Sequence, residues 1–538
     1  MSKRVTRTIC TGIDDFGKGI VHIDNNTCFV KDLLPGEEAD IATIFRYGKL
    51  AETELVKRYS DSKDRIDPPC PYYDKCGGCQ IMHLSYKKQL EYKTQKVKDL
   101  FRKFAKLNIK VEDTIGLKEP IRFRNKVQKP IRYNAKTKKI EAGFYQNETH
   151  QLVSVKDCLM ETKLSNRITN VLLSLFEKYH YAAYDEDKMT GVIRHILIKT
   201  SSDQKQALVT LVVTTEMLKG RLEFAKELMN KVKEVQGVVL NINPRKTNVI
   251  LGEKDVRVYG HARISDTIFG KTFLISTQSF YQTNAKQIET LYGKTIEFAG
   301  LQKTDTVLDA YCGTGTIGLS CSDYVKEVIG VEIVPDAVHD AITNAKINGI
   351  KNAHFYKADC TKYMLTCKEK FDVVIMDPPR RGSTKEFIDA VKHIAPRTVV
   401  YVSCDPVTLA RDLAMFTDMY EVTKVQPVDM FPNTLHVETV VQLVRKKPDT
   451  YIDITVDMDE LDLTSSESKA TYDEIKDYIF DKYRVKVSSL YIAQVKQKHG
   501  IIERDCYNNS KKDNPKQPQC PPEKAKLIEE ALRYFKMV

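Results

Sequence analysis

From about residue 285 onwards the chain repeats short apolar strands, each followed by a turn and mostly by a helix. A helical segment, NAKQIETLYGKTIEFAG, comes first, and apolar strands follow at 306–310, 328–332, 372–376 and 398–402. Repeated strand–helix units indicate a parallel, doubly wound sheet, in which ligands bind at the carboxyl ends of the strands. We therefore predict an α/β domain whose functional side chains lie just after these strands.

The composition is typical of a modular, soluble protein. A chain of 538 residues has room for three or four domains, and no apolar run approaches the roughly 18 residues of a membrane span. The first residues, MSKRVTRTICTGIDDFGKG, lack the apolar segment of a secretory signal. Thirteen cysteines then favour thiols, metal ligands or catalysis over disulfides, and a net charge of +12 suits a polyanionic partner without proving one. We expect a cytoplasmic, monomeric protein with no membrane contact.

The segment VLDAYCGTGTIGLS, residues 307–320, has the form of a nucleoside-binding loop. Its strand ends at Asp309, and Gly313 and Gly315 allow a ligand to approach the backbone. Glu332 follows Gly313 by nineteen residues and closes the strand VIGVE, where a carboxylate can bind both hydroxyls of a ribose. The glycine order differs from the dinucleotide pattern G-x-G-x-x-G and is closer to the adenosylmethionine loop of class I methyltransferases. A glycine turn in an ordinary α/β protein is the alternative.

A second motif, DVVIMDPPRRG at 372–382, ends a strand at Asp377 and continues into two prolines that stiffen the turn. It resembles motif IV of methyltransferases that act on planar nucleobases. Arg380 and Arg381 follow, where they can meet a phosphate or the target base. In a structural protein the same residues form only a rigid loop.

The third motif pairs YVSCDP, containing Cys404, with LHVETVVQL, containing Glu438. Carbon 5 of uracil is a poor nucleophile, so its methylation requires a thiolate to add first to carbon 6 and a base to remove the carbon 5 proton afterwards. One cysteine and one carboxylate on neighbouring strand ends supply both groups. Alternatively, Cys404 is a packed thiol and Glu438 an edge-strand charge. Asp405, beside Cys404, raises rather than lowers the pKa of a neighbouring thiol.

Together these motifs resemble the TrmA/RumA family of RNA uracil-5-methyltransferases over roughly residues 1–447. The matching segments, in the family's order, are QSFYQTNA, LDAYCGTGTIGL, GVE, DPPRRG, YVSCDP and HVETVV. The resemblance implies a class I methyltransferase domain in which Cys404 is the nucleophile and Glu438 the base. The residues that it implies for S-adenosylmethionine binding are Gln282, Tyr311, Glu332 and Asp377.

Four cysteines form a separate group: Cys70, Cys76 and Cys79 at C-x5-C-x2-C spacing, and the distant Cys158. Four thiolates hold either a zinc ion or a [4Fe-4S] cluster. The asymmetric spacing is similar to that of the RumA branch, which carries an iron–sulfur cluster, and zinc with His83 as a substitute ligand is the alternative. We expect a structural or RNA-contacting role, because methyl transfer to carbon 5 needs no electron.

The remaining segments divide the chain into four predicted domains: 1–60, 61–280, 281–449 and 450–538. Residues 1–60 alternate β-type runs with glycine turns and resemble the TRAM domain, an OB-like RNA-binding barrel, through FGKGIVHI, FV and LPGE. Residues 61–280 carry the cysteines on a mixed α/β domain whose sheet order does not follow from the sequence. After an acidic segment, a small helical extension contains SSLYIAQVKQKHG, which suggests either a recognition helix bearing Lys496, Lys498 and His499 or an amphipathic helix packed on the catalytic domain.

These expectations describe an enzyme that methylates carbon 5 of a specific uridine in RNA, with 23S ribosomal RNA as the expected substrate and the uridine flipped out of its stack. The same chemistry on transfer RNA is one alternative. An iron–sulfur RNA-binding protein without turnover is another. A flavin- and folate-dependent system would need a dinucleotide loop, which the sequence lacks.

Overall fold

The structure, a computed structural model, describes two stretches of the chain. They are residues 2–446 apart from 15, 25, 47–48, 148 and 247–248, and residues 471–537 apart from 484, 500–519 and 536. The predicted acidic segment, 451–468, therefore lies outside the described residues. Residue contacts divide the chain into two units, Met1–Lys447 and Pro448–Val538. Within the described stretches, no helix is long and apolar enough to cross a membrane.

Six short strands near the amino terminus form two three-stranded antiparallel sheets around one core. They are β1 (Ser2–Ile9), β2 (Gly12–Ile13), β3 (Gly19–Ile23), β4 (Asn26–Val30), β5 (Glu38–Arg46) and β6 (Lys49–Arg58). The strand orders are β1-β5-β6 and β2-β3-β4. A Cβ atom on Gly19 would lie 2.5 Å from the Leu33 carbonyl oxygen, so the close approach of the chain at this point requires glycine.

A seven-stranded mixed sheet follows, with the order β13-β12-β11-β10-β7-β8-β9. Every residue of its inner strands β10 and β11 is buried, which explains the apolar runs in their sequences. The elements of this region are α1 (Tyr86–Leu100), β7 (Lys126–Asn134), β8 (Lys139–Tyr145), β9 (Leu152–Ser154), α2 (Lys163–Lys178), β10 (Ile193–Thr200), β11 (Ala207–Val213), α3 (Arg221–Lys231), β12 (Val235–Ile242) and β13 (Lys254–Gly260). A hairpin, β14 (Arg263–Ile268) and β15 (Lys271–Ser276), leads to the next region.

The doubly wound sheet has the order β18-β17-β16-β19-β20-β22-β21, and its first five strands are parallel. Its elements are α4 (Ile288–Ala299), β16 (Thr306–Ala310), α5 (Thr316–Cys321), β17 (Glu327–Glu332), α6 (Pro335–Ile347), β18 (Ala353–Lys357), α7 (Cys360–Thr366), β19 (Val373–Met376), α8 (Lys385–Ile394), β20 (Thr398–Ser403), α9 (Pro406–Phe416), β21 (Tyr420–Val428) and β22 (Glu438–Arg445). The four predicted strands are present within one residue of their expected ends. The strand order reverses between β16 and β19, so a ligand site is expected above these two strands.

The second unit contains three helices around a small core: α10 (Tyr472–Tyr483), α11 (Ser489–Lys498) and α12 (Pro522–Tyr534). The three basic residues proposed for recognition all contact other residues of this unit. Lys496 is 5% exposed and lies over the ring of Tyr472, while Lys498 and His499 pair with Glu529. The buried Lys496 therefore packs within its own unit and does not face a nucleic acid, whereas the side chain of Lys498 is 73% exposed.

Candidate active site

Four neighbouring strands bring the predicted catalytic and cofactor residues to one edge of the doubly wound sheet. Tyr311 follows β16, Asp377 follows β19 and Cys404 follows β20, whereas Glu438 is the first residue of β22. The pairing of β20 with β22 ends at Ser403 and Thr439. The next residue of β20's chain is Cys404 and the preceding one of β22 is Glu438, so the antiparallel register places these two opposite each other. The nucleophile and base predicted from the sequence are therefore neighbours in the fold.

The glycine loop after β16 is held by the carboxylate at the end of β17. The Gly313 N–H donates to Glu332 Oε2 at 3.1 Å, and Oε1 accepts from the backbone N–H groups of 333 and 334 at 2.8 and 2.9 Å. Asp309 Oδ2 accepts from the Gly318 N–H at 2.8 Å. Gly313 has φ +54°, and a Cβ built there would meet no atom within 4 Å. The loop thus leaves open space beside its backbone, as a bound nucleoside requires.

Apolar side chains remain exposed around this space. Phe280, Ile333 and Val334 are 60%, 63% and 49% exposed, although all three lie beside residues of the cofactor motifs. Gln282 is only 5% exposed and lies beside the Tyr292 hydroxyl. A glycine turn, a carboxylate at the end of the next strand and uncovered apolar side chains are parts that the nucleoside of S-adenosylmethionine can use. The residues present therefore fit that cofactor.

Three carboxyl groups at this edge are buried, and burial raises the pKa of each. The pKa of Asp309 and that of Asp377 rise to about 7. The pKa of Glu438 rises well above its usual value, because the side chain is buried and Asp377 lies near it. Two carboxylates so close repel each other, so Asp377 and Glu438 are expected to share a proton. Such perturbed groups in a cleft are typical of acid–base sites.

Cys404 lies half buried among these groups. Burial, followed by Glu438, Asp377 and Asp405, raises the pKa of the Cys404 thiol to about 12, and Arg380 acts in the opposite direction. The predicted effect of Asp405 is thus confirmed, although burial has the largest effect. Asp405 also caps α9, since its Oδ1 accepts from the backbone N–H of Val407 at 3.0 Å. The thiol of the free protein is therefore protonated at neutral pH.

Asp412 positions the loop after Asp377, and the sequence analysis did not identify it. Its fully buried carboxylate accepts from the Ser383 N–H at 2.7 Å and from the Tyr401 hydroxyl at 2.6 Å, and Arg411 pairs with its other oxygen. The available signal was an acidic residue on the apolar face of α9. The network holds the Asp-Pro-Pro turn beside β20, close to Cys404.

Lys199, on β10, is a second residue that the sequence analysis missed. Its Nζ donates to the carbonyl oxygens of Ser276, Thr277 and Ser279 at 2.6, 3.0 and 2.7 Å. These carbonyls form the turn that leads directly into Phe280 and Gln282. The only sequence signal was a lysine near the end of a strand that is buried throughout. Lys199 therefore fixes, from the neighbouring sheet, the start of the segment that contains the predicted cofactor residue Gln282.

We expect Lys199→Met to weaken S-adenosylhomocysteine binding about tenfold, because hydrogen bonds from a charged donor contribute roughly 1.5–3 kcal/mol. Burial and then Lys126 lower the pKa of Lys199 to about 7, against the opposing effects of Asp255 and Asp340. Above pH 7 the neutral amine has two N–H groups for three carbonyls. Wild-type affinity should therefore fall between pH 6 and 8.5 in calorimetric titrations.

Lys199→Met should show no such fall in affinity with pH. Any titration of the ligand itself would affect wild type and variant equally, so the difference between them reports on Lys199. Lys126→Met is a second test, because Lys126 lies beside Lys199 on the adjacent strand β7 and lowers the pKa of Lys199, so its removal should move the fall in affinity to higher pH. Equal affinities for wild type and Lys199→Met at pH 6 would show that the clamp does not position the cofactor.

The four predicted metal ligands lie together away from the sheet edge. Cys70, Cys76, Cys79 and Cys158 line one cavity of about 70 Å³, with apolar side chains filling much of its wall. Among the described residues, no group of three or more His, Cys, Asp or Glu is arranged to hold a metal ion. His83 does not line the cavity and instead bonds the Tyr73 hydroxyl. Four thiols around one enclosed space fit a cluster that binds each cysteine through a different iron.

Three comparisons with known proteins agree with this geometry. The family model described as tRNA (uracil-5-)-methyltransferase matches residues 85–446. An uncharacterized RNA methyltransferase of Clostridium tetani is 40% identical over 435 residues, covering 80% of this chain and 94% of the relative. Another from Clostridium acetobutylicum is 40% identical over 443 residues, covering 80% and 96%.

A solved structure is similar over the same extent. The Pyrococcus abyssi tRNA (uracil-54, C5)-methyltransferase in complex with S-adenosyl-L-homocysteine superimposes with a TM-score of 0.66 at 26% identity, covering 81% of this chain and 99% of that one. The α/β methyltransferase fold predicted from the sequence is therefore confirmed. Because the family model spans most of the chain, this protein belongs to the tRNA (uracil-5-)-methyltransferase family and is an S-adenosylmethionine-dependent RNA methyltransferase.

Proposed function

We propose that the protein methylates carbon 5 of a specific uridine in 23S ribosomal RNA through a covalent adduct between Cys404 and carbon 6. The observation that carries this proposal is the register of β20 and β22, which places Cys404 opposite Glu438 beside the buried Asp377. A thiol and a carboxyl group that lie opposite each other on paired strands can both reach one uracil ring. Both lie at the edge of the sheet that also carries the glycine loop.

In this scheme S-adenosylmethionine supplies an electrophilic methyl group. Cys404 would first lose its thiol proton to solvent and then add to carbon 6, which makes the electron pair of the carbon 5–carbon 6 bond available at carbon 5. Carbon 5 would take the methyl group as the sulfur–methyl bond breaks and S-adenosylhomocysteine leaves. Glu438 then removes the proton from carbon 5, the double bond re-forms and Cys404 leaves. Glu438 serves this role in its ionised form, whose affinity for a proton is increased by burial and by the nearby Asp377.

The amino-terminal strands are proposed to bind the RNA as a TRAM-type barrel. Phe16 and Phe29 are 74% and 46% exposed there, and the guanidinium of Arg7 lies 3.8 Å from the centre of the Tyr59 ring. Exposed aromatic and cationic side chains provide stacking surfaces and phosphate contacts for unpaired nucleotides. Such a surface supports RNA binding but not the choice of a particular sequence, since any base can stack on it.

The choice of ribosomal RNA rests on the resemblance to the RumA branch and on the four-cysteine cavity. The similar Pyrococcus structure is named for a transfer RNA substrate, and transfer RNA is therefore the competing assignment. Mapping 5-methyluridine in 23S ribosomal and transfer RNA from cells with and without this gene separates the two. Loss of the modification from ribosomal RNA alone is expected, and loss from transfer RNA alone would reject the ribosomal assignment.

The cysteine cavity is proposed to hold a [4Fe-4S] cluster. Protein purified without oxygen should contain about four iron and four sulfide per chain, measured chemically, together with broad visible absorption. Cys79→Ser should lose most of both, because the Cys79 thiol is one of the four that line the cavity. Cys367→Ser is the control, since Cys367 is a half-buried thiol that follows α7 and does not line this cavity. One zinc per chain without sulfide would reject the cluster.

A further inference from the structure

A further cavity, of about 610 Å³, lies between the edge strand β13, the turn at 276–278 and the first turns of α6. We call it the α6 cavity. It is lined by Asp255 and Arg257 of β13, His261 of the following turn, and His339 and Asp340 of α6, among others. None of the described residues assigned above to methyl transfer or to the cofactor lines it. Its volume is in the range of sites that bind small ligands or single nucleotides.

Several ionisable side chains of the α6 cavity have no partner in the part of the chain that the structure describes. Arg257, His261, Asp336 and His339 form no side-chain hydrogen bond or ion pair with another described residue. They come from three different elements and meet at one cavity. A free guanidinium and two imidazole rings are available there to a ligand that carries negative charge and a flat ring.

Two carboxylates of the same cavity are, by contrast, fixed in place. Asp255 Oδ1 accepts from Asn241 Nδ2 at 2.7 Å, whereas its Oδ2 has no hydrogen bond from a described residue. Asp340, whose side chain is 4% exposed, pairs with Arg263 at 2.7 Å and accepts from the Ser276 hydroxyl at 3.3 Å. Burial raises the pKa of both carboxyl groups. Rigid acceptors of this kind select ligands with N–H donors.

We propose that the α6 cavity binds a guanosine nucleotide of the substrate RNA, separate from the methylated uridine. Arg257 contacts the phosphate, His261 and His339 stack on the base, and Asp255 accepts from the N1–H and 2-amino groups. Guanine is the base with two adjacent N–H donors on its pairing edge, whereas adenine and uracil there offer one. This proposal rests on the proposed RNA methylation, because it adds a second contact to the same RNA.

The α6 cavity lies next to the turn that precedes Phe280 and Gln282, so a nucleotide bound there would hold the RNA near this segment. Ser276, Thr277 and Gln278 line the cavity, and the turn they form leads directly into Phe280 and Gln282. Lys199 holds the same turn from behind. A nucleotide bound here therefore anchors the RNA beside the cofactor-binding segment, at a site that makes no contact with Cys404. The contact should affect RNA affinity and sequence choice rather than the rate of the chemical step.

The first test measures binding of 5′-GMP to the full-length protein by saturation-transfer NMR. We expect 5′-IMP, which lacks the 2-amino group, to bind about fivefold more weakly, and Arg257→Met and Asp255→Asn to weaken GMP binding by about the same factor. Lys254→Met is the matched control, because Lys254 lies on the same strand but pairs with Glu216 and does not line the cavity. S-adenosylhomocysteine should not displace GMP.

Equal binding of GMP and IMP, or displacement of GMP by S-adenosylhomocysteine, would overturn the proposal.

The second test measures filter binding of unmodified 23S ribosomal RNA and transfer RNA. Arg257→Met and Asp255→Asn should raise the dissociation constant of the better-bound RNA about fivefold, and unchanged values would assign the cavity to a free nucleotide instead. Neither test requires methyl transfer. A protein that binds GMP and RNA as expected but forms no 5-methyluridine would reject the proposed function alone.

Discussion

Cys404→Ala should reduce the rate of 5-methyluridine formation by at least about 10⁴-fold, as removal of a covalent nucleophile does in other enzymes. Without the thiolate, carbon 5 of uracil has no route to nucleophilic character, so nothing else at this edge of the sheet can replace it. Binding of S-adenosylhomocysteine should stay within about twofold of wild type, because the glycine loop and Glu332 make no hydrogen bond with Cys404. Single-turnover assays with labelled cofactor and calorimetry measure the two quantities.

Cys367→Ala is the matched control, since Cys367 is also a half-buried thiol of the same sheet region and follows α7 rather than a strand end. It should keep activity within about twofold of wild type. A fully active Cys404→Ala protein would reject the nucleophile assignment and return Cys404 to the packed-thiol alternative. An inactive wild type that still binds RNA would instead favour the non-catalytic RNA-binding alternative.

The sequence was sufficient for the residues that follow parallel strands. Asp309, Glu332, Asp377 and Cys404 each lie within one residue of the carboxyl end of an apolar strand, and the carboxyl ends of parallel strands share one edge. Local spacing also identified the strands themselves. These inferences succeed because a parallel sheet fixes the position of a strand end without any knowledge of long-range contacts.

The approach of Glu438 to Cys404 did not follow from that rule. β22 inserts antiparallel between β20 and β21, although β21 comes earlier in the chain. Glu438 therefore reaches the site from the beginning of its strand rather than from the end. Its pairing with Cys404 followed from the chemistry that uracil methylation requires and from the resemblance to a family, because periodicity carries no information about strand order.

Contacts between distant segments were also beyond the sequence. Lys199 bonds carbonyls 77 to 80 residues further along the chain. In the sequence it appears only as a polar interruption of a buried strand. Lys496 is a second case, since the sequence left open whether it contacts nucleic acid, and the structure places it over Tyr472, buried within its own unit. Charge alone does not distinguish a ligand contact from an internal one.

Glu438→Gln should trap the covalent intermediate that wild type passes through. The substituted amide would keep the size and hydrogen-bonding shape of the side chain but could not accept the carbon 5 proton, so Cys404 could not leave after methylation. Incubation with RNA and S-adenosylmethionine should therefore yield a protein–RNA species that survives denaturation and migrates more slowly than free protein. Its formation should be accompanied by near-complete loss of turnover, on the order of 10³-fold or more.

The double variant Cys404→Ala/Glu438→Gln is the control for this experiment, and it should form no denaturation-resistant species because the bond to carbon 6 cannot form. Mass spectrometry of nuclease-digested adduct should find a methylated uridine on the peptide that contains Cys404. Normal turnover by Glu438→Gln without an adduct would mean that another group removes the proton. Asp377 would then be the remaining candidate. It raises the pKa of both Glu438 and Cys404 and therefore lies near both groups. The two outcomes separate a base at the start of β22 from one at the end of β19.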